Sequence, residues 1–258
     1  MRRLILDEPY SRAALWSRRI GLFALAVAAV AAALSRFGAI EPMAALAVLG
    51  AALVLACLGA LLAASAFVVI WRTGRRGAGI AFAGLFMALL LFAYPAYLSF
   101  EAAYLPIIND VSTDLDAPPT FLLSAKARQA RGNVTPPESN RQTRDDQRRA
   151  YPAVQPILVD METSQAYQLA LETAKARGWR IVDQIAPSVR ETVGHIDAID
   201  RSLLMGFPDD IAIRVKPSAN ETRIDVRSVS RVGRHDFGAN ARRIQRFAAD
   251  IQEAAGGK

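Results

Sequence analysis

The chain has 258 residues, 52% of them hydrophobic, with a formal charge of +7 and one cysteine. Nine arginines and three acids lie before Glu101, leaving 22 basic and 21 acidic residues from Glu101 onward, so the basic excess flanks an apolar half and does not mark a nucleic-acid surface. A lone Cys57 excludes an intramolecular disulfide and reads as a small apolar packing residue.

From Ile20 to Phe100 the sequence is almost entirely Ala, Leu, Val, Gly and Phe. A membrane-crossing helix needs about 20 predominantly apolar residues. Three segments reach that length: residues 20–40, 43–71 and 80–100. The first needs Arg36 to snorkel to the interface, and Pro95 is expected to bend the third near its end. The sequence Ser17–Leu22 resembles a twin-arginine export signal, but a cleaved signal would leave the two further spans unexplained, so the first helix is read as retained. Small residues recur four apart at Ala24, Ala28 and Ala32, at Ala52, Ala56, Ala60 and Ala64, and at Gly84 and Ala88, which suits close but generic helix packing.

Five arginines precede the first span and three (Arg72, Arg75, Arg76) follow the second, whereas the connection between them carries only Arg36. Basic loops stay on the cytoplasmic side, so the expected arrangement is a multi-pass protein of the bacterial inner membrane with a cytoplasmic N-terminus and a periplasmic C-terminal domain. Trp16 and Trp71 at the inner ends, and Tyr94, Tyr97 and Tyr104 at the outer end, fit interfacial aromatic belts. No ionisable residue falls within a span core, which disfavours transport. The bilayer is the one partner the composition itself implies.

Residues 1–103 thus form a tail and membrane segment, 104–150 an extended segment and linker, and 151–258 a soluble α+β domain. In the linker, Asp110, Asp114 and Asp116 lack the Gly and Glu of a calcium loop and suit capping and turns. Residues 124–151 are rich in Arg, Gln, Asn and Pro, as in a solvated linker or a surface helix. The domain then reads as a strand at 155–159, a helix at 163–177 ended by Gly178, with Trp179 packing back on the helix end, and strands at 180–185, 189–199, 211–215 and 223–230. A last helix carries Ala241, Ile244, Phe247, Ala248 and Ile251 at helical spacing, with Asp236 as its cap. The order β-α-β-β-β-β-α predicts one antiparallel sheet covered by two helices.

The run from Met205 to Phe247 closely resembles the signature of the family called domain of unknown function 1499, through Asp209, Asp210, Arg227, Ser228, Ser230, Arg231, Gly233, Asp236, Gly238, Asn240, Arg242 and Arg243. INDVSTDLDAPPTF and YPAVQP are similar to the family's opening segments, so the resemblance covers about 107–251 and departs from the expected aromatic stretch at 195–207. It implies an envelope-associated domain and supplies no activity.

Adjacent Asp209 and Asp210 could split their pKa values as an acid/base pair, but neighbours on a strand face opposite ways, and Arg214, Arg227, Arg231 and Arg234 are available as partners. The two histidines, His195 and His235, with no cysteine in the soluble half, are too few for a zinc set, and neither a cofactor motif nor a nucleophile with its base stands out. From Arg231 to Arg243, two glycines and several donors precede a helix, the pattern of an anion site; Asp236 competes for that place as the cap. The candidate ligand-binding set is therefore Asp209, Asp210, Arg227, Arg231, Arg234, Asp236, Asn240, Arg242 and Arg243. The leading expectation is a non-enzymatic envelope module that binds a protein partner or an anionic small ligand. The alternative is a small-ligand or lipid site, hydrolytic in one version, between sheet and last helix near Asp210, Arg231 and Asn240.

Overall fold

The computed structural model describes residues 8–136 and 140–256. Arg2, Arg3 and Asp7 of the N-terminal charge count, residues 137–139 of the linker, and Gly257 and Lys258 lie outside the described residues. The chain divides into two compact units, one of residues up to Glu101 with Leu204–Gly206, the other of Ala102–Leu203 and Phe207 onward.

The first unit holds three helices, α1 (Arg12–Arg36), α2 (Pro42–Thr73) and α3 (Ala78–Tyr104), each long and apolar enough to cross a membrane. α1 begins eight residues before the apolar run because Ser11 caps it, its side chain accepting from the Ala14 N–H. Pro42 opens α2, Gly74 in the left-handed region closes it, and α3 runs through Pro95. Beside the α2–α3 connection, Tyr10 bridges to Arg76 and the Ser11 N–H donates to the Arg76 carbonyl at 2.9 Å.

The packing stripe is more regular than repeats of four. On α2 the buried positions are Ala45, Ala52, Ala56, Gly59, Ala63 and Ala66, alternating steps of four and three after the first seven, while Ala64 is exposed. That 3.5-residue period keeps one seam facing its neighbours. Ala14, Ala66 and Ala81 form one contact cluster and Ala24, Ala56 and Ala88 another. A Cβ on Gly84 would lie 2.5 Å from Ser17 Oγ and 2.8 Å from its carbonyl carbon, so only glycine permits this crossing. Cys57 is exposed on α2, not packed as expected, because it falls one residue off the seam.

The second unit is a six-stranded antiparallel sheet with its two longest helices on one face. Its elements are β1 (Asp110–Ser112), α4 (Ala125–Ala130), α5 (Arg141–Ala150), β2 (Ile157–Val159), α6 (Thr163–Ala176), β3 (Arg180–Ile185), β4 (Gly194–Arg201), β5 (Pro208–Ser218), β6 (Glu221–Ser230) and α7 (Ala239–Gly256). The strand order is β1-β6-β5-β4-β3, and β2 shares with β1 the outer edge of β6, pairing at Thr222–Ile224 while β1 pairs at Arg227–Val229. From β2 onward the order is the expected one. The added strand β1 was hidden in a segment read as extended because three residues carry no periodicity.

Alternation along the strands sorts side chains into two faces. Ile196, Ala198, Ile211, Ile213, Val215, Ile224 and Val226 pack against Ala166, Tyr167, Ala170, Ala241, Ile244, Phe247 and Ile251 of α6 and α7. Gly178, at φ +78°, ends α6; the Trp179 N–H donates to the Ala174 carbonyl at 3.0 Å and its ring stacks on Phe247 of α7 at 5.1 Å. A Cβ on Gly194 would sit 2.6 Å from the Tyr167 ring, which fixes glycine at the start of β4.

Residues 113–150 are integral to this unit. Gln147 of α5 is buried and acts as a surrogate strand for β1: its Nε2 donates to the Ser112 carbonyl at 2.7 Å and its Oε1 accepts the Ser112 N–H at 3.0 Å. The edge of β1 is thereby closed.

Candidate functional site

The expected site residues separate onto the two faces of the sheet. On the helix face, the first turn of α7 is bound to three strands. Asn240, fully buried, accepts from Ser228 Oγ at 2.7 Å and from Arg243 Nη1 at 2.6 Å, while its Nδ2 donates to the Asn109 carbonyl and to Ser230 Oγ. Arg243 reaches Asp200 through Nε at 2.7 Å and Asp209 through Nη2 at 2.5 Å. Burial pushes the Asp209 carboxyl up, against the opposing pull of Arg243 and Ser230. Burial also works against the Arg243 charge, but Asp209 and Asp200 hold the guanidinium above its ordinary value.

Asp236 caps α7 as expected, its two oxygens accepting the Gly238 and Asn240 N–H groups at 2.9 Å each. The place an anion would take at this helix end is filled by that carboxylate. Arg242 is exposed and donates to the Phe237 carbonyl, and Arg234 stands exposed in the preceding turn.

The opposite face carries Asp197, Asp210, Arg214, Arg223, Asp225, Arg227 and Arg231, with Asp110 from β1. Arg231 grips Asp210 with Nε at 2.8 Å and Nη2 at 2.6 Å, and Arg227 grips Asp110 at 3.0 and 2.7 Å. Asp225, fully buried, takes Arg214 at 2.8 Å and Arg223 at 2.8 Å, and both arginines also reach Asp114. Asp114 keeps its turn role, accepting from the Asp116 and Ala117 N–H groups. Its burial resists ionisation, yet the Ala117 N–H and the Arg223 and Arg214 charges hold the carboxyl below the ordinary range.

Segment 113–136 lies over this face. Phe121 packs on Ala212 and Val229, with the Arg131 and Arg227 guanidinium carbons each 5.3 Å from its ring centre. Arg131, buried just after α4, donates to Asp197 at 2.7 Å and to the Leu122 carbonyl, and the Leu122 N–H donates to Asp197 at 2.9 Å. Burial raises the Asp197 carboxyl to about 6, only partly offset by the Leu122 N–H and Arg131.

Asp210 and Arg231 therefore sit across the sheet from Asn240, and the space between sheet and last helix is filled by Ile211, Ile213, Ile244 and Phe247. The three do not converge on the site expected there. Two openings in this unit lie beside the candidate residues. One, of about 490 Å³, is a shallow cleft beside α7 lined by Arg177, Arg242, Arg243, Arg246, Asp200 and Asp250 among others. The other, of about 440 Å³, lies on the charged face, with Arg131, Asp210, Arg231, Asn140 and Thr143 in its walls. Among the described residues no three His, Cys, Asp or Glu side chains come together as a metal set.

Asp110, Arg131, Asp197 and Asp225 were missing from the candidate set. The signal for Asp225 was present in the Arg-x-Asp-x-Arg alternation of β6; nothing local distinguishes Arg131 from its neighbouring arginines.

The model for a family of proteins of unknown function, DUF1499, matches residues 110–251. The chain belongs to that family. The DUF1499 match begins on the first residue of β1 and ends in α7, so it takes in β1, α4 and α5 as well as the later sheet. The three apolar helices precede the DUF1499 region. No curated protein matches the chain.

Proposed function

We propose that this DUF1499 protein is a three-helix membrane anchor carrying a non-enzymatic binding module on the periplasmic side of a bacterial inner membrane. One observation carries the binding reading. Of the six buried aspartates in the module, Asp110, Asp197, Asp209, Asp210 and Asp225 are each matched to an arginine, and the sixth, Asp236, caps α7. Carboxylates committed in this way hold strands and helix together and are poorly placed to shuttle protons. The orientation is supported by the arginine asymmetry around the apolar helices.

The test uses full-length protein in lipid nanodiscs, incubated with envelope phospholipids, short peptides and glycan fragments. The expected result is that no substrate is converted. Product formation that Asp210→Ala abolishes would overturn the reading. For orientation, Cys57 is replaced by Ser and single cysteines are placed at Arg75 or at Val189, which is fully exposed. A membrane-impermeant maleimide applied to spheroplasts should label the Val189 site alone, and labelling of the Arg75 site alone would reverse the topology.

A further inference from the structure

We propose that the cavity on the charged face binds the oxyanion of a small ligand, a carboxylate or a phosphate, with an apolar body against Val134, Pro136 and Val229. This rests on the binding-module reading and gives it a site and a ligand class.

Hydrogen-bond capacity decides the sign of the ligand. Among the groups lining the cavity the carboxylates are occupied, both oxygens of Asp210 by Arg231 and both of Asp110 by Arg227, and Asn140 Oδ1 accepts the Thr143 N–H at 2.9 Å. Donors are left over. Arg131 has a side chain only 2% exposed, and its Nε is buried with no hydrogen-bond partner. Arg231 spends Nε and Nη2 on Asp210 and the Ala130 carbonyl, and its Nη1 makes no bond within the described residues. The N-terminal turn of α5, ten residues long, contributes Asn140 and Thr143 to the same wall and adds the positive end of its dipole.

A buried unpaired guanidinium N–H costs free energy, which a ligand oxygen recovers. The nearby carboxylates do not repel such a ligand strongly, because each is matched by a two-point guanidinium contact. A volume of about 440 Å³ lies within the range of small-molecule sites, roughly 300–1,000 Å³. Its apolar walls favour a ligand with a short hydrocarbon or ring portion over a bare ion.

The experiment is calorimetric titration of the full chain in phosphatidylcholine nanodiscs, at constant ionic strength, with inorganic phosphate and with butyrate. At least one should bind saturably, butyrate more tightly if the apolar walls contribute. Val134 is 65% exposed and is a member of none of the ion pairs, so Val134→Trp should block the cavity with little cost to the fold. It should weaken binding by about tenfold or more, as should Arg231→Lys, which keeps a charge and loses the fork.

Repeating the titration in discs containing phosphatidylglycerol separates the sources. A weaker apparent affinity there assigns the site to a lipid headgroup, and an unchanged one assigns it to a free anion. The proposal is overturned if neither probe binds in phosphatidylcholine discs, or if Val134→Trp binds both undiminished. In that event, with substrates still unconverted, the module keeps its binding role and loses this cavity; substrate conversion would instead remove the binding reading itself.

Discussion

The helix-covered face of the sheet is apolar along β4, β5 and β6, and polar where α7 begins and at Thr222 beside the start of α6. The opposite face alternates aspartate with arginine across four strands and is covered by Phe121, Leu122 and α4. Both faces are buried, but they hold their covers by different physics. The first is stabilised by apolar area and close packing, which tolerate no missing volume. The second is stabilised only while every charge keeps its partner, since a buried ion pair gains little over an apolar pair yet a broken one is costly.

Substitutions can break that contrast, starting with the largest effect. Phe247→Ala, which removes a fully buried ring stacked on Trp179, should cost about 3–5 kcal/mol in chemical denaturation. Arg227→Met should cost about 3 kcal/mol by stranding Asp110, whereas the double variant with Asp110→Leu should recover most of that loss. An apolar contact on the helix face has no such rescue.

Two carboxylates on the charged face should give opposite pH dependence. The folded-state pKa of Asp197 is raised, to about 6, so its contribution is fully present below the unfolded value of 3.8 and is lost as pH rises through about 6. That of Asp114 is lowered, so its contribution is present above the unfolded value and is lost as pH falls through the folded one. Asp197→Asn should flatten the stability profile between about pH 4 and 6, and Asp114→Asn should flatten it below about 4. The smallest effect is expected on α5, where the exposed Arg148–Asp145 and Arg149–Asp146 pairs should each contribute about 0.5 kcal/mol or less.

The helix face was legible in the sequence. Ile211, Ile213 and Val215 alternate, Ala241, Ile244, Phe247 and Ile251 recur at helical spacing, and Asp236 precedes the last helix at capping distance, so the order of elements from β2 onward follows from periodicity. The apolar helices were equally plain, although the start of α1 depended on Ser11, outside the apolar run. The charged face was not legible. Arg131 pairs with Asp197 across 66 positions and Asp110 with Arg227 across 117, and composition alone made residues 124–151 look solvated. Gln147 completing the edge of β1 is a tertiary event without a local pattern. Asp209 and Asp210 were correctly separated onto two faces by strand alternation, but the partner of Asp209, Arg243, lies nine residues beyond the last of the arginines considered for it.

The central claim is that the aspartates of this DUF1499 module are structural partners of arginines. A double-mutant cycle on Asp210 and Arg231 tests it most directly, using Asp210→Asn, Arg231→Met and both together in full-length protein with Trp16 and Trp71 replaced by Phe. Unfolding is then followed through Trp179, the remaining tryptophan, which is buried against α7. The account predicts a coupling of about 2 kcal/mol or more, as expected for a two-point ion pair whose carboxylate is buried. Additive effects, with no coupling between the two positions, would contradict it.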